Sequence, residues 1–317
     1  MTQLIRNEWM KIWRRSATIV MVGILALAVA AIGVFTKYQE NGLTVPDNED
    51  WKHGIELENK GYKEQLKDEN LPEESVNYYK KQIALNEYRI QHNISTNTDY
   101  SAWDFISDSS QLISLAALFT IIIAAGIVAN EFTWGTIKLL LIRPISRTKI
   151  LLSKYITIIL FGLFLLMVLF FVSFLLGAVL FGLPKESYPY LAYSNGTVKE
   201  INMIVHLMAD YGFNSISMLM LTTMAFMIST VFRNSSLAIG VSIFLMFMGS
   251  TATMLLASRF EWAKYILFAN TDLLRYFDGV PMVSGMTLTF SVVMLILYFC
   301  LFHFLAFFVF NKRDVAA

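Results

Sequence analysis

Six long apolar runs, separated by polar segments, dominate the pattern along this 317-residue chain. A helix needs about 20 mostly apolar residues to cross a hydrocarbon layer about 30 Å thick. The apolar residues in these runs are continuous rather than alternating, which disfavours membrane-spanning strands. The pattern therefore predicts an all-α membrane protein with six transmembrane helices, over residues 16–36, 109–129, 150–183, 212–232, 236–257 and 287–310.

Composition agrees with this class. Apolar side chains make up 56% of the chain and charged side chains only 15%, with a mean hydropathy of +0.54. Soluble domains carry about 25% charged residues. The only cysteine, Cys300, lies in the last apolar run, so no intrachain disulfide can form.

Charge placement predicts the orientation in the membrane. Segments 1–15, 130–149 and 311–317 are basic, whereas segment 37–108 holds eight basic and fifteen acidic residues, a net charge of −7. Under the positive-inside rule, both termini and segment 130–149 lie in the cytoplasm of a bacterial cell. Segments 37–108, 184–211 and 258–286 then face outside.

Segment 130–149 interrupts the apolar runs and has the pattern of a short helix with one apolar face. Phe132, Ile137, Leu140 and Leu141 are spaced to share one helical face, and Arg143-Pro144 ends the helix. Ser146 is a plausible N-cap for the helix that enters the membrane. On charge alone, Arg143, Arg147 and Lys149, with Lys154 just after the segment, need only satisfy topology and touch anionic headgroups.

Three further segments show their own patterns. Residues 1–15 predict an interfacial helix, because Trp9 and Trp13 fall on an apolar face and basic residues on the other. Within 37–108, two amphipathic stretches separated by Asn70-Leu71-Pro72 predict an extracellular helical hairpin. Residues 258–286 hold two apolar patches too short to span, which suit re-entrant or interfacial short helices.

The string Glu131 to Lys154, E-x-x-x-G-T-I-K-x-L-L-x-R-P-I-S-R-x-K-I-L-L-x-K, resembles the cytoplasmic segment after the second helix in ABC-2-type transporter permeases. Six spans with both termini inside also fit these bacterial exporter subunits. The resemblance implies that residues 1–15 form an elbow helix and that 130–149 carries a coupling helix which docks on a separate ATPase. It implies an ATPase contact through Glu131, Gly135, Thr136, Lys138, Arg143, Pro144, Ser146 and Arg147.

The same resemblance implies the partners. They are ABC ATPase subunits, a second permease subunit in a homodimer or heterodimer, and membrane lipids, with no nucleic acid. The chain lacks G-x-x-x-x-G-K-[ST], so ATP and Mg would bind in the partner ATPase and this chain would bind no cofactor. We expect no enzymatic activity, because no nucleophile, base or metal constellation is visible in the sequence.

The expected function is a permease subunit that exports a hydrophobic or amphiphilic substrate, such as a peptide antibiotic, a lipid or a drug. The spans hold almost no charge, so polar side chains are the candidates for lining a pathway: Thr222 and Thr223 in the fourth span, Ser250 and Thr251 in the fifth. One alternative is a membrane sensor or immunity protein whose extracellular hairpin binds a ligand without transport. An intramembrane enzyme ranks last.

Overall fold

The structure is a computed structural model. It describes residues 1–42, 51–68, 71, 73–95, 100–137, 144–183, 189–194, 196–278, 281–283 and 285–312. Within these residues the helices are α1 Thr2–Trp13, α2 Ser16–Gly42, α3 Trp51–Gln65, α4 Glu73–His92, α5 Ala102–Ser109, α6 Ile113–Thr133, α7 Arg147–Leu180, α8 Met203–Phe232, α9 Ser235–Ala257, α10 Leu267–Asn270, α11 Arg275–Asp278 and α12 Leu288–Lys312.

The described residues contain six helical stretches long and apolar enough to cross a membrane, which confirms the predicted number. The chain is therefore a multi-pass membrane protein. The second stretch joins α5 to α6 through a short 3₁₀ turn, Ser110–Leu112. The stretches are Ser16–Glu40, Ala102–Thr133, Arg147–Leu180, Met203–Phe232, Ser235–Ala257 and Leu288–Lys312.

Helices α6 and α8 form the centre of the bundle. In the most apolar window of their stretches, 72% and 61% of residues are buried, against 22%, 17% and 17% for those of α2, α9 and α12. Ser229 of α8 joins the central pair, because its hydroxyl donates to the Ala125 carbonyl at 2.6 Å and accepts from the Ala129 N–H at 3.2 Å. The outer helices leave broad apolar faces for lipid or for another subunit.

The two ends of the bundle differ in charge. We call the end that holds α1, the carboxyl end of α6 and the start of α7 the basic end, and the opposite end, which holds α3 and α4, the hairpin end. Helices α3 and α4 pack against each other, with Tyr62 stacked on Tyr79 at 5.6 Å and the Asn86 amide donating to the Asn59 amide oxygen at 3.0 Å. Of the predicted turn, Asn70 and Pro72 lie outside the described residues.

A two-stranded antiparallel sheet in segment 184–211 is the main departure from the predicted fold. Strands β1 Tyr190–Ser194 and β2 Thr197–Ile201 pair directly, and Gly196 between them has φ +79°, the left-handed conformation that favours glycine. Tyr88 of α4 donates a hydrogen bond to Glu200 of β2 at 3.3 Å. The prediction considered spanning strands only, and this hairpin is far too short to span.

Residues 258–278 form short helical elements, a 3₁₀ turn Glu261–Tyr265 followed by α10 and α11. The Asn270 amide donates to the Lys264 and Ile266 carbonyls, both at 2.8 Å, and accepts from the Ser291 hydroxyl of α12 at 2.7 Å. This segment is therefore held to the last spanning helix by a buried amide.

Candidate functional site

Three elements meet at the basic end: α1, the last turn of α6 and the second turn of α7. Helix α1 packs along α7, where Trp9 and Trp13 both meet the Phe164 ring edge-on, with centroids 6.2 and 5.0 Å apart. The Thr18 hydroxyl of α2 donates to the Ile12 carbonyl at 2.6 Å and so ties α2 to the end of α1. Helix α1 is thus fixed against the bundle.

A buried ion cluster, made of Glu8, Lys11, Glu131 and Lys154, joins the three elements. Lys154 Nζ lies 2.8 Å from Glu8 Oε2 and 3.0 Å from Glu131 Oε1. Lys11 Nζ lies 2.9 Å from Glu8 Oε1 and 2.8 Å from the same Glu131 oxygen. Each carboxylate therefore pairs with both lysines, and the four formal charges cancel.

Burial makes this cluster energetically important. Lys154 is 1% exposed, and Glu8 and Glu131 are each 7% exposed. Removing one partner from such a cluster leaves an uncompensated buried charge, which costs about 3–5 kcal/mol. At half-exposed Lys11, burial opposes the charge, but the Glu131 hydrogen bond and the attraction of Glu8 outweigh it and raise the pKa above its usual value.

Of the predicted ATPase contact, Glu131 belongs to this cluster, and Gly135 and Thr136 follow it closely along the chain. The Thr136 hydroxyl donates a hydrogen bond to the second Glu131 oxygen, so the Glu131 carboxylate is engaged within the chain. Gly135 is exposed, has φ +70° and follows the last turn of α6, where the left-handed conformation ends the helix. Glu131 thus holds helices together, while Gly135 faces outward.

Of the five remaining residues of that predicted contact, the structure describes three. Pro144 and Ser146 are exposed, and Ser146 is the N-cap residue of α7, although its side chain makes no capping hydrogen bond. Arg147 Nη1 donates to the Asn311 carbonyl at the end of α12 at 3.3 Å. Lys138 and Arg143, with Leu140 and Leu141 of the predicted short helix, lie outside the described residues.

The candidate pathway residues do not form one surface within this chain. Thr222 and Thr223 are each 1% exposed. Thr223 lies 2.9 Å from the Tyr155 hydroxyl, whereas the buried Thr222 hydroxyl has no hydrogen-bond partner among the described residues. Ser250 and Thr251 are exposed on α9. The two threonines pack the bundle, and the α9 pair faces away from it.

The interpretation of Lys154 as a residue explained by topology alone is wrong, because the structure buries it against two carboxylates. Its spacing carried the missed signal: Leu151, Lys154, Ile158 and Phe161 share one face of α7, and the three apolar members are fully buried. A lysine in the buried register of a spanning helix requires a counter-charge. Glu8 supplies it from a helix that sequence spacing alone could not place.

Metal chemistry finds no support in the described part of the chain, where no group of three or more His, Cys, Asp or Glu residues could hold an ion. His303 Nδ1 lies 2.9 Å from the Phe299 carbonyl of its own helix, and its ring meets Tyr155 edge-on. The imidazole is therefore bonded within its own helix and packed against α7.

Comparison with known proteins gives uncharacterized relatives. The chain is 51% identical over 318 residues to the uncharacterized protein YhcI of Bacillus subtilis (strain 168), with full coverage of both chains. It is 34% identical over 225 residues to the uncharacterized membrane protein YdbK of the same organism, covering 70% of this chain and 87% of that protein. The model of a family described as proteins of unknown function matches residues 76–316, so the chain belongs to the DUF2705 family.

Proposed function

We propose that this chain is the permease subunit of an ATP-driven ABC exporter. It would pair with a second permease subunit and take its energy from a separate ATPase. The substrate would be hydrophobic or amphiphilic, because within the described spans the buried charges are confined to the Glu131–Lys154 pair and the other buried side chains are apolar or carry a hydroxyl. The ABC-2 resemblance of residues 131–154 is the starting point of this proposal, and the geometry of the basic end supports it.

The buried ion cluster is the observation that carries the proposal. Glu131 and Lys154 are the two ends of the segment that resembles the coupling segment, and Glu8 and Lys11 belong to the helix that would be the elbow. A part that receives force from a motor must pass it to several spans without yielding. The cluster joins both ends of that segment and α1 into one rigid unit.

Motion would then follow from this connection. A push on segment 132–146 would move the end of α6 and the start of α7 together with α1, since separating them would leave buried charges unpaired. Because α6 lies at the centre of the bundle and α7 contacts α2, the displacement would reach the centre of the bundle and α2. The pathway would open between this chain and the second subunit, toward which exposed Ser250 and Thr251 would point.

The test is co-purification with a candidate ABC ATPase, for which a neighbouring reading frame is the first choice, followed by charge reversal. We expect Arg143→Glu to abolish both capture of the ATPase and stimulated ATP hydrolysis. The arginine would attract carboxylates of the ATPase, whereas a glutamate at the same position would repel them. Lys149→Glu is the matched control, since Lys149 is exposed on the first turn of α7. Unchanged capture and unchanged hydrolysis in Arg143→Glu would contradict the coupling role.

Arg147→Glu needs a separate interpretation, because Arg147 also bonds the end of α12 within the chain. A loss of capture in this variant counts toward a contact with the ATPase only if the thermal unfolding temperature stays that of the wild type. The two arginine variants together therefore separate docking from internal stability.

The sensor alternative is favoured by one feature of the hairpin end. A groove of about 370 Å³ runs between α3 and α4. Its lining includes three lysines and two carboxylates: Lys60, Lys63, Lys67, Glu64 and Glu87. Such a mixed-charge groove could hold a ligand without any transport. Deleting α3 and α4 while keeping α5 onward would abolish a sensor's response but leave ATPase capture at the basic end intact.

A further inference from the structure

A cleft between α1 and α6 at the basic end carries an inference that is independent of the transport proposal. Arg15 and Lys11 line it on the α1 side, and Ile123, Ile127, Asn130 and Trp134 line it on the α6 side. Its floor is apolar and belongs to a spanning helix, while its rim is polar. A site of this kind lies where lipid headgroups meet hydrocarbon.

The rim has a net positive charge that comes from one side chain. Glu8 and Glu131 also line the cleft, but they are neutralised by Lys11 and Lys154 in the buried ion cluster. Arg15 adds one further positive charge, and within the described residues no carboxylate pairs with it. The enclosed part of the cleft measures only about 20 Å³, so an anion of single charge would lie at its mouth, beside Arg15.

The Arg15 side chain is held in position while its hydrogen-bond donors stay available. Its guanidinium lies 5.5 Å from the centroid of the Trp134 ring, a cation–π contact that orients the group and leaves its N–H donors available. The Asn130 amide makes no hydrogen bond to the described protein atoms and lines the same cleft. The planar guanidinium of Arg15 and the Asn130 amide in the same cleft are well suited to bind phosphate oxygens.

We propose that the mouth of this cleft binds the phosphate headgroup of an anionic phospholipid, with Arg15 as the recognising cation and Trp134 beside the bound lipid. A lipid is favoured over a free anion because Trp134 in the cleft and two side chains close to Arg15 in the sequence expose apolar surface. Trp134 is 63% exposed, and Ile19 and Val20, which follow Arg15 on α2, are 64% and 57% exposed. Acyl chains would cover these side chains while the phosphate meets Arg15.

The test uses quenching of tryptophan fluorescence by brominated lipids. The full-length protein is placed in phosphatidylcholine bilayers that contain brominated phosphatidylglycerol or brominated phosphatidylcholine, and the difference between wild type and Trp134→Phe isolates Trp134. We expect phosphatidylglycerol to be enriched about fivefold at Trp134, the factor for one basic residue beside an anionic lipid surface. Equal quenching by the two lipids in the wild type would overturn the proposal.

Two variants and one competitor complete the test. Arg15→Gln should equalise the two lipids, whereas Arg14→Gln, at an exposed neighbour outside the cleft, should keep the preference. Asn130→Asp keeps the cation–π pair but places a carboxylate beside it, so it should also reduce the preference. Equal effects of Arg14→Gln and Arg15→Gln would contradict the site, and abolition of the preference by inorganic phosphate would assign the cleft to a soluble anion instead.

Discussion

Lys154 shows how one side chain can decide the geometry of this protein. An isolated ammonium ion in an apolar environment is strongly unfavourable, so a fully buried lysine persists only where counter-charges surround it. Its two carboxylates come from different helices, Glu8 on α1 and Glu131 on α6. The lysine therefore sets where α1 lies along the bundle as well as its own position.

We predict that Lys154→Met lowers the free energy of unfolding by about 3–5 kcal/mol. The change keeps the length of the side chain but leaves two buried carboxylates with only the half-exposed Lys11 as partner. Thermal or denaturant unfolding in detergent measures the effect. Lys149→Met, on the exposed side of the same helix, should change stability by less than about 0.5 kcal/mol.

The double variant Glu8→Gln/Lys154→Met distinguishes an ion pair from simple packing. Removing one negative charge together with the positive one should recover part of the loss, giving a coupling energy in the double-mutant cycle. Additive losses would mean that Lys154 acts through packing alone.

At the scale of elements, residues 258–286 show how a loop is fitted to two spans. The Phe268 ring of α10 lies against Gly249 of α9, and a Cβ added at Gly249 would come within 2.5 Å of its carbon atoms. Asn270 holds the same segment to α12. The close approach on one side and the buried amide on the other fix this loop between the fifth and sixth spans.

We predict that Gly249→Ala and Gly240→Ala, both on α9, change stability in opposite directions. Gly249→Ala should destabilise by about 1–3 kcal/mol, because Phe268 must move from its place. Gly240 has nothing within 4 Å of an added Cβ, so alanine there should stabilise the helix by about 0.5–1 kcal/mol. Unfolding in detergent measures both changes.

The Phe268→Ala background provides the matched check for that pair. With the ring removed, Gly249→Ala should lose most of its cost and approach the behaviour of Gly240→Ala. A cost that persists in this background would mean that some other neighbour limits space at Gly249.

At the scale of the whole molecule, charge and burial are segregated. The hairpin segment is acidic, the opposite end is basic, and the apolar faces of α2, α9 and α12 remain uncovered. The positive-inside rule describes this segregation of charge, and lipid or a second subunit would cover the exposed apolar faces. The orientation of the whole bundle is thus a testable consequence.

We predict that the hairpin end faces outside and the basic end faces the cytoplasm. In a Cys300→Ala background, Lys67→Cys should react with a membrane-impermeant maleimide on intact cells. Lys149→Cys should react only after permeabilisation, because a short loop rich in basic residues resists translocation. Both lysines are exposed, so folding does not limit either reaction. The reverse labelling pattern would place the hairpin in the cytoplasm.

Much of the architecture was predictable because membranes impose simple rules. Backbone groups in hydrocarbon must bond within their own helix, so continuous apolar length identifies a span without any tertiary information. The helix ends were harder to predict in this way: α8 begins at Met203 although the apolar run was placed from residue 212, and α7 covers Arg147–Leu180 although its run was placed at 150–183. Outside the hydrocarbon, hydropathy no longer reports helix length, and the β-hairpin after α7 carries no hydropathy signal.

The sequence by itself determined the class of protein, the number of spans, the helical hairpin and the resemblance of residues 131–154, because each depends on local composition or on the order of residues along the chain. Only the tertiary structure decided which charges are buried together. Glu8 and Lys154 are 146 positions apart, and their 2.8 Å contact exists because α1 folds back along α7. No local pattern specifies that placement, since the charges become partners only after the apolar faces of the two helices have packed.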